Sequence, residues 1–298
     1  DGDTTTSGID ELWCVAGRSM YLDGGMRLVR LNPSTGQLID EKIMDDRDPA
    51  TGENMQTLLK TLNMPVALND ILSFDGKYVY MRSQRFDEEG IREEIEIPTL
   101  DVQAKGEGAH LFSPTGFLDD DPWHRSYWVF GRVWKSGAGG YYQAGRFNPA
   151  GRPLVFNDST VFCYGRKPEY YRWTTPLEYM LYSADKIPPS MKTGAPKVTG
   201  SALGAKPPQK IATNWTTEIP VIARAMVLAD EKLFIAGPAQ LFNEVQSLAT
   251  FASPETQQVL ERQAEVLNDS EGGLLWVAST DGDKLTQYSI DSVPVWDG

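Results

Sequence analysis

The sequence predicts an all-β chain, and three observations carry that expectation. Short apolar runs rich in β-branched and aromatic residues recur along the 298 residues, polar Gly-containing turns close them, and the combination returns several times. The first set is the clearest. Leu12 to Ala16 is an apolar run, and Ser19-Met20-Tyr21-Leu22 follows a Gly-Arg turn. Asp23-Gly24-Gly25 then supplies the positive φ angles of a tight turn, and Met26 to Leu31 mixes apolar and basic residues. Asn32-Pro33-Ser34-Thr35-Gly36 turns the chain again, and Gln37 to Ile43 begins a further strand. Strands joined in sequence by short turns form a meander, which is one blade of a propeller or one sheet of a sandwich.

Three later stretches echo this form: 74–81 leading to 86–90, 155–164, and 228–237. After an insertion the last resumes with Leu274 to Leu285, which matches Leu28 to Leu38 as strand, polar turn with a late Gly, then Leu. Anchors near residues 20, 79, 161 and 234 stand 59, 82 and 73 residues apart. A bare blade takes roughly 40–50 residues, so four irregular repeats with insertions are expected. Two insertions read as helices. Met55, Leu58, Leu59 and Leu62 share a helical face within 53–62. In 254–268, Ser253-Pro254-Glu255 supplies an N-cap and a first-turn Pro, Val259, Leu260, Ala264 and Leu267 share a face, and Gly272-Gly273 ends the run. Residues 183–218, with Pro188-Pro189, Gly194 and Pro207-Pro208, read as one long irregular loop. Strands of the same type on both sides make 1–298 a single domain or a portion of one.

Composition excludes several function classes. The 28 Lys and Arg against 41 Asp and Glu leave a net charge of −13, which repels nucleic acid and anionic membrane surfaces. No run of 18 apolar residues exists, so no membrane span is expected. Two histidines exclude a three-imidazole metal site, and two cysteines, Cys14 and Cys163, exclude a disulfide framework or a four-thiolate zinc site. Those thiols read as buried and unpaired, with pairing open in an oxidising compartment. The start, Asp1-Gly2-Asp3-Thr4, without Met or an apolar leader, reads as a processed chain or an excised piece.

The chemistry concentrates in residues 110–182. This stretch holds both histidines, 18 of the 31 aromatics and a net charge of about +2. A strand through Arg125, Tyr127 and Val129 sets His124, Ser126, Trp128 and Phe130 on its other face. Aromatic rings beside guanidinium groups suit a sugar, an aromatic group or a carboxylate, so Trp123, Trp128, Arg132, Trp134, Tyr141, Tyr142 and Arg146 are the candidate ligand-binding residues. His124, Tyr127 and Arg125 are the candidate catalytic residues, as a Tyr–His pair can abstract a proton beside a uronate carboxylate held by Arg. The competing reading is pure packing between blades, and His110 reads as structural. The acidic runs 45–48 and 119–121 offer carboxylates to calcium without the spacing of a calcium loop, and read first as solvated turns. No metal site is predicted. Asn157, Asn214 and Asn268 begin glycosylation triplets, and Gly137 to Gly140 lacks the spacing of a dinucleotide fingerprint.

With those residues in view, the chain resembles the quinoprotein-like (PQQ-like) β-propeller repeat proteins, in particular the large secreted group of planctomycete-type bacteria. The carriers are the runs from Trp13 to Gly25, Leu28 to Gly36, His110 to Asp120, His124 to Trp128 and Arg224 to Ala229. The resemblance implies a β-propeller of seven or eight blades, of which about four lie in this chain, the remaining blades coming from the same or another chain. It implies an extracytoplasmic protein: periplasmic, surface-bound or secreted. Family enzymes that use the quinone carry a vicinal Cys-Cys disulfide, calcium ligands and an Asp base, and none of these maps onto this sequence. The expectation is therefore no cofactor, with PQQ and calcium least favoured, and a non-catalytic binding or scaffold module for a protein or glycan partner acting through residues 110–152. The alternatives are a carbohydrate-active, lyase-like propeller using His124, Tyr127 and Arg125, and then a PQQ-dependent oxidoreductase.

Overall fold

A computed structural model of the chain describes residues 11–48, 50–54, 72–81, 84–93, 109–112, 128–131, 149–167, 179–186, 211–268 and 271–294. Over these residues the chain is mostly strand, gathered into small antiparallel sheets, so the all-β expectation holds.

The first sheet joins β1 (Leu12–Ala16), β2 (Met26–Leu31) and β3 (Leu38–Met44) in sequence order. The second joins β4 (Ser73–Phe74), β5 (Val79–Met81) and β6 (Gln84–Phe86), and the third β7 (His110–Phe112), β8 (Trp128–Gly131) and β9 (Ala150–Gly151). Two four-stranded sheets follow: β10 (Leu154–Phe156), β11 (Thr160–Arg166), β12 (Tyr179–Asp185) and β13 (Thr213–Thr217), then β14 (Ala225–Ala229), β15 (Lys232–Gly237), β16 (Gly273–Ser279) and β17 (Lys284–Ile290). Each sheet is a meander of strands adjacent in sequence. The described residues thus hold five sheets against four anchored repeats. The unanchored one is the third, whose short strands lie far apart in sequence, at 110–112, 128–131 and 150–151, and so are not joined by the short turns that mark the other repeats.

The chain divides into two compact units, one formed by residues 1–126 and 130–142, the other by 127–129 and 143–298. The core of the first is unusually rich in methionine. Met20, Met26, Met44 and Met81 pack with Leu28 and Phe86, and Trp13 and Val15 lie against them. Unbranched thioethers fill the irregular space beneath short strands of unequal length. Met20 reaches this core from a turn. Residues 19–22, expected as a strand, instead close a bend in which the Leu22 N–H meets the Ser19 carbonyl at 3.4 Å. Two glycines and Asp23 in left-handed conformations immediately afterwards leave no room for an extended run.

The second unit has a core of Phe162, Tyr164, Leu181, Ile219, Val221, Leu233, Ile235, Trp276 and Ala278. Its buried tyrosines tie elements together through their hydroxyls. Tyr182 Oη donates to the Ala150 carbonyl at 2.8 Å and accepts from the Ala150 N–H at 2.9 Å, and Tyr164 Oη donates to the Val221 carbonyl at 3.0 Å. Gly165 is required beside this lock, because a Cβ there would lie 2.3 Å from the Ala150 oxygen and 2.7 Å from the Tyr182 ring.

The expected loop over 183–218 is corrected at both ends. β12 continues to Asp185, and Thr213–Thr217 forms the fourth strand of its sheet. Trp215 explains that strand: its indole N–H donates to the Thr280 carbonyl at 2.8 Å, and its ring packs on Phe162. Residues 187–210 lie outside the described set. The helix expected over 254–268 is present as α2 (Pro254–Leu267), preceded by the short α1 (Glu244–Ala249). Of the helix expected over 53–62, residues 55–62 lie outside the described set, while Asn54 is bridged to Arg47.

Candidate functional site

Of the residues singled out for binding or catalysis, Trp128 alone is among those described. It opens β8 half-buried, opposite Gly151 of β9. Trp123, His124, Arg125, Tyr127, Arg132, Trp134, Tyr141, Tyr142 and Arg146 lie outside the described residues, as does the acidic run 119–121. Val129 and Phe130 beside Trp128 are both buried, so β8 does not alternate between a covered and an open face.

His110 takes the structural role expected of it. Its ring, 3% exposed, stacks on Tyr80 with centroids 3.6 Å apart and planes 12° from parallel, and lies 5.2 Å from Phe112. Tyr80 in turn donates its hydroxyl to Asp75 Oδ2 at 2.7 Å. Burial acts to raise the Asp75 pKa, but the N–H groups of Tyr78 and Lys77 and the Tyr80 hydroxyl prevail and hold it below the usual carboxylate range. Burial, then the neighbouring Asp75 carboxylate, pushes the Tyr80 phenol well above its ordinary value. A Tyr–His pair therefore exists in the first unit, built from residues other than those anticipated. Both rings are buried, which fits packing and closes them to a polymer substrate.

The acidic run 45–48 forms turns, as expected, but they are not all solvated, since Asp48 is buried. Asp45 Oδ1 accepts the Arg47 N–H, and Asp48 Oδ1 accepts the N–H groups of Ala50 and Thr51 and the Thr51 hydroxyl. These contacts, led by Thr51, lower the Asp48 pKa. Asp46 Oδ2 accepts from the Asn54 amide at 2.6 Å. The carboxylates accept from separate donors, and among the described residues no three His, Cys, Asp or Glu side chains gather as metal ligands. Both cysteines are unpaired, but the expectation of two buried thiols holds for Cys163 alone: Cys14 is exposed on β1, which has one neighbouring strand among the described residues, whereas Cys163 is buried in β11, where burial drives its pKa far up.

Among the described residues each unit holds a cleft. The one in the first unit encloses about 480 Å³. Phe86 and Met44 form its buried floor, Ile43 (58% exposed) and Ile91 (54% exposed) stand open on it, and Lys42, Arg47 and Arg92 bring cationic groups to its wall. Arg92 is held in place. Its Nε donates to Gln84 Oε1 at 2.8 Å and its Nη1 to the Asp45 carbonyl at 3.0 Å. Burial lowers its pKa, and the carboxylates of Asp45, Asp48 and Asp46 oppose the shift. Gln84, itself buried, is fixed by donating to the Glu93 carbonyl at 2.8 Å. Gly90 precedes Ile91 in a turn closed by Asp87 Oδ1, which accepts the Ile91 N–H at 2.7 Å. An apolar floor under a fixed guanidinium suits an apolar group that carries a carboxylate. The second unit has a cleft of about 360 Å³ between Lys167, Tyr179, Glu218 and Phe242, where Lys167 is paired with Glu218.

Sequence reasoning missed the first cleft because its residues sit in three separate elements. The available signal was an exposed Ile91 directly after a turn glycine, flanked by Arg92. No protein-family model matches the chain, and comparison with curated proteins found no match.

Proposed function

We propose that the chain is a non-catalytic, extracytoplasmic β-propeller, or a portion of one, that serves as a binding or scaffold module for a protein or glycan partner. The cleft of the first unit carries this reading. Exposed isoleucines over an apolar floor, with cations in the wall, offer contact area and charge to a partner. Asp45, the one carboxylate among its described lining residues, accepts the Arg47 N–H and faces Arg92 at 3.7 Å. The succession of meander sheets supports a propeller, each sheet supplying one blade, and the resemblance to secreted propellers supports the location.

An array of neutral and uronate-containing glycans probed with the full chain, followed by the same array with Ile91→Asp, tests the reading. Retention on the array that weakens about tenfold or more in the variant is expected, since a charge at an apolar contact is desolvated by the bound partner without a counter-charge. Retention unchanged by the variant removes the cleft from the interface. Release of unsaturated, ultraviolet-absorbing uronate products replaces the reading with the lyase one.

A further inference from the structure

The first and last sheets are two copies of one design, and among the described residues the first has no counterpart of one strand of the last. The sequence Asp10-Glu11-Leu12-Trp13-Cys14-Val15-Ala16-Gly17 aligns without a gap on Asp230-Glu231-Lys232-Leu233-Phe234-Ile235-Ala236-Gly237. The pairing agrees with the alignment. Val15 pairs with Leu28 as Ile235 pairs with Trp276, and Trp13 pairs with Arg30 as Leu233 pairs with Ala278. Both following hairpins, β2–β3 and β16–β17, shift register just before their turns. β1 therefore occupies the position of β15. β15 lies between β14 and β16, whereas β1 has β2 on one side and no strand on the other among the described residues.

Burial records the missing strand. Leu233 and Ile235 are fully buried, while Trp13 and Val15 in their places are half-buried. Phe234 and Ala236 are half-buried, while Cys14 and Ala16 are exposed. Leu12 stands 53% exposed at the end of the same edge. Every position from Trp13 to Ala16 is one step more open than its counterpart. An apolar edge strand with free backbone groups is a template for pairing, and a folded chain that keeps one uncovered carries an aggregation hazard.

β14 shows what fits. It sets Met226 opposite Ile235 and Leu228 opposite Leu233. The residues before Asp10 have Thr6 and Gly8 at those positions, so this chain's adjoining sequence lacks the apolar pair. We propose that the free edge of β1 is a strand-addition site, taking from a partner polypeptide an extended segment with bulky apolar residues at alternate positions, opposite Val15 and Trp13. Main-chain hydrogen bonds supply affinity and the two apolar side chains supply selection. This deepens the binding-module reading by naming how a protein partner joins.

A synthetic peptide carrying residues 224–230 is the probe, added to the full chain, with amide exchange and alkylation of the exposed Cys14 as readouts. At about 1 mM peptide, exchange at Trp13 to Ala16 is expected to slow about tenfold or more, and Cys14 alkylation to slow with it. A peptide with Thr and Gly in place of Met226 and Leu228 is expected to leave both rates unchanged, as is one N-methylated along its pairing edge. No slowing, or equal slowing by the Thr/Gly peptide, overturns the proposal. So does protection of β1 in the free chain that rises with protein concentration, since a second copy is then the occupant. Glycan retention without any effect at β1 overturns the strand site and leaves the binding-module reading standing.

Discussion

Gly282 meets two constraints at once. Its φ of +91° belongs to the turn between β16 and β17, and a Cβ placed on it would lie 2.7 Å from Cδ2 of Trp215. Gly282→Ala thus combines left-handed backbone strain with overpacking against a ring that cannot withdraw, because Trp215 is held by its bond to Thr280. A loss of about 2–4 kcal/mol is expected by urea unfolding. A loss below about 0.5 kcal/mol would show that the ring moves freely. Asp75 makes a different residue-scale prediction. Its folded pKa lies below the ordinary carboxylate value of about 3.9, so its contribution to stability is complete above that value and is lost as pH falls through the depressed one. Stability between about pH 5 and pH 3 should then fall less steeply in Asp75→Asn, which removes the titration and keeps the shape. Identical slopes would mean that Asp75 is as free in the folded chain as in the unfolded one.

At the scale of elements, α2 shows what local sequence can carry. Ser253 Oγ accepts the Thr256 N–H at 3.2 Å, Pro254 opens the first turn and Glu255 follows, all as the local pattern dictates. Ser253→Ala should cost about 1 kcal/mol, read by thermal unfolding, and an unchanged midpoint would mean that tertiary contacts of Gln263 and Val266 alone hold the helix. The hairpins were equally legible, because polar turns with a late Gly fix both the reversal and the register, as at β2–β3 and β16–β17. β13 was not legible. Its five residues Thr-Asn-Trp-Thr-Thr have no apolar alternation, and they become a strand through Trp215 reaching Thr280, 65 positions away. The first-unit cleft escaped for the same reason. Ile43, Phe86 and Arg92 are brought together by tertiary packing of β3, β6 and the turn after β6, and no local period records that.

For the whole molecule, the net charge of −13 is unevenly distributed. Residues 110–182 carry about +2, so the rest of the chain carries about −15. The first-unit cleft brings Lys42, Arg47 and Arg92 to its wall against one lining carboxylate, Asp45, while Asp40 and Asp46 face Lys42 and Arg47 from beside it. A polyanion of high charge density, such as duplex DNA, meets the averaged field at long range and is repelled. A short acidic glycan can instead sit within about 8–10 Å of a cationic patch, inside the screening length, where local charge outweighs the average. The two ligand types should therefore separate by salt. Duplex DNA is expected to pass a column of the immobilised full chain at any ionic strength. Uronate oligosaccharides retained at about 50 mM salt are expected to elute by about 500 mM, because charge-assisted contacts at an exposed patch are screened over that range. Uronate retention that does not change with salt would assign the affinity to apolar contact on Ile43 and Ile91 instead. DNA retention would show that the basic stretch dominates the field of the folded molecule, and the charge argument would fail at the scale where it was made.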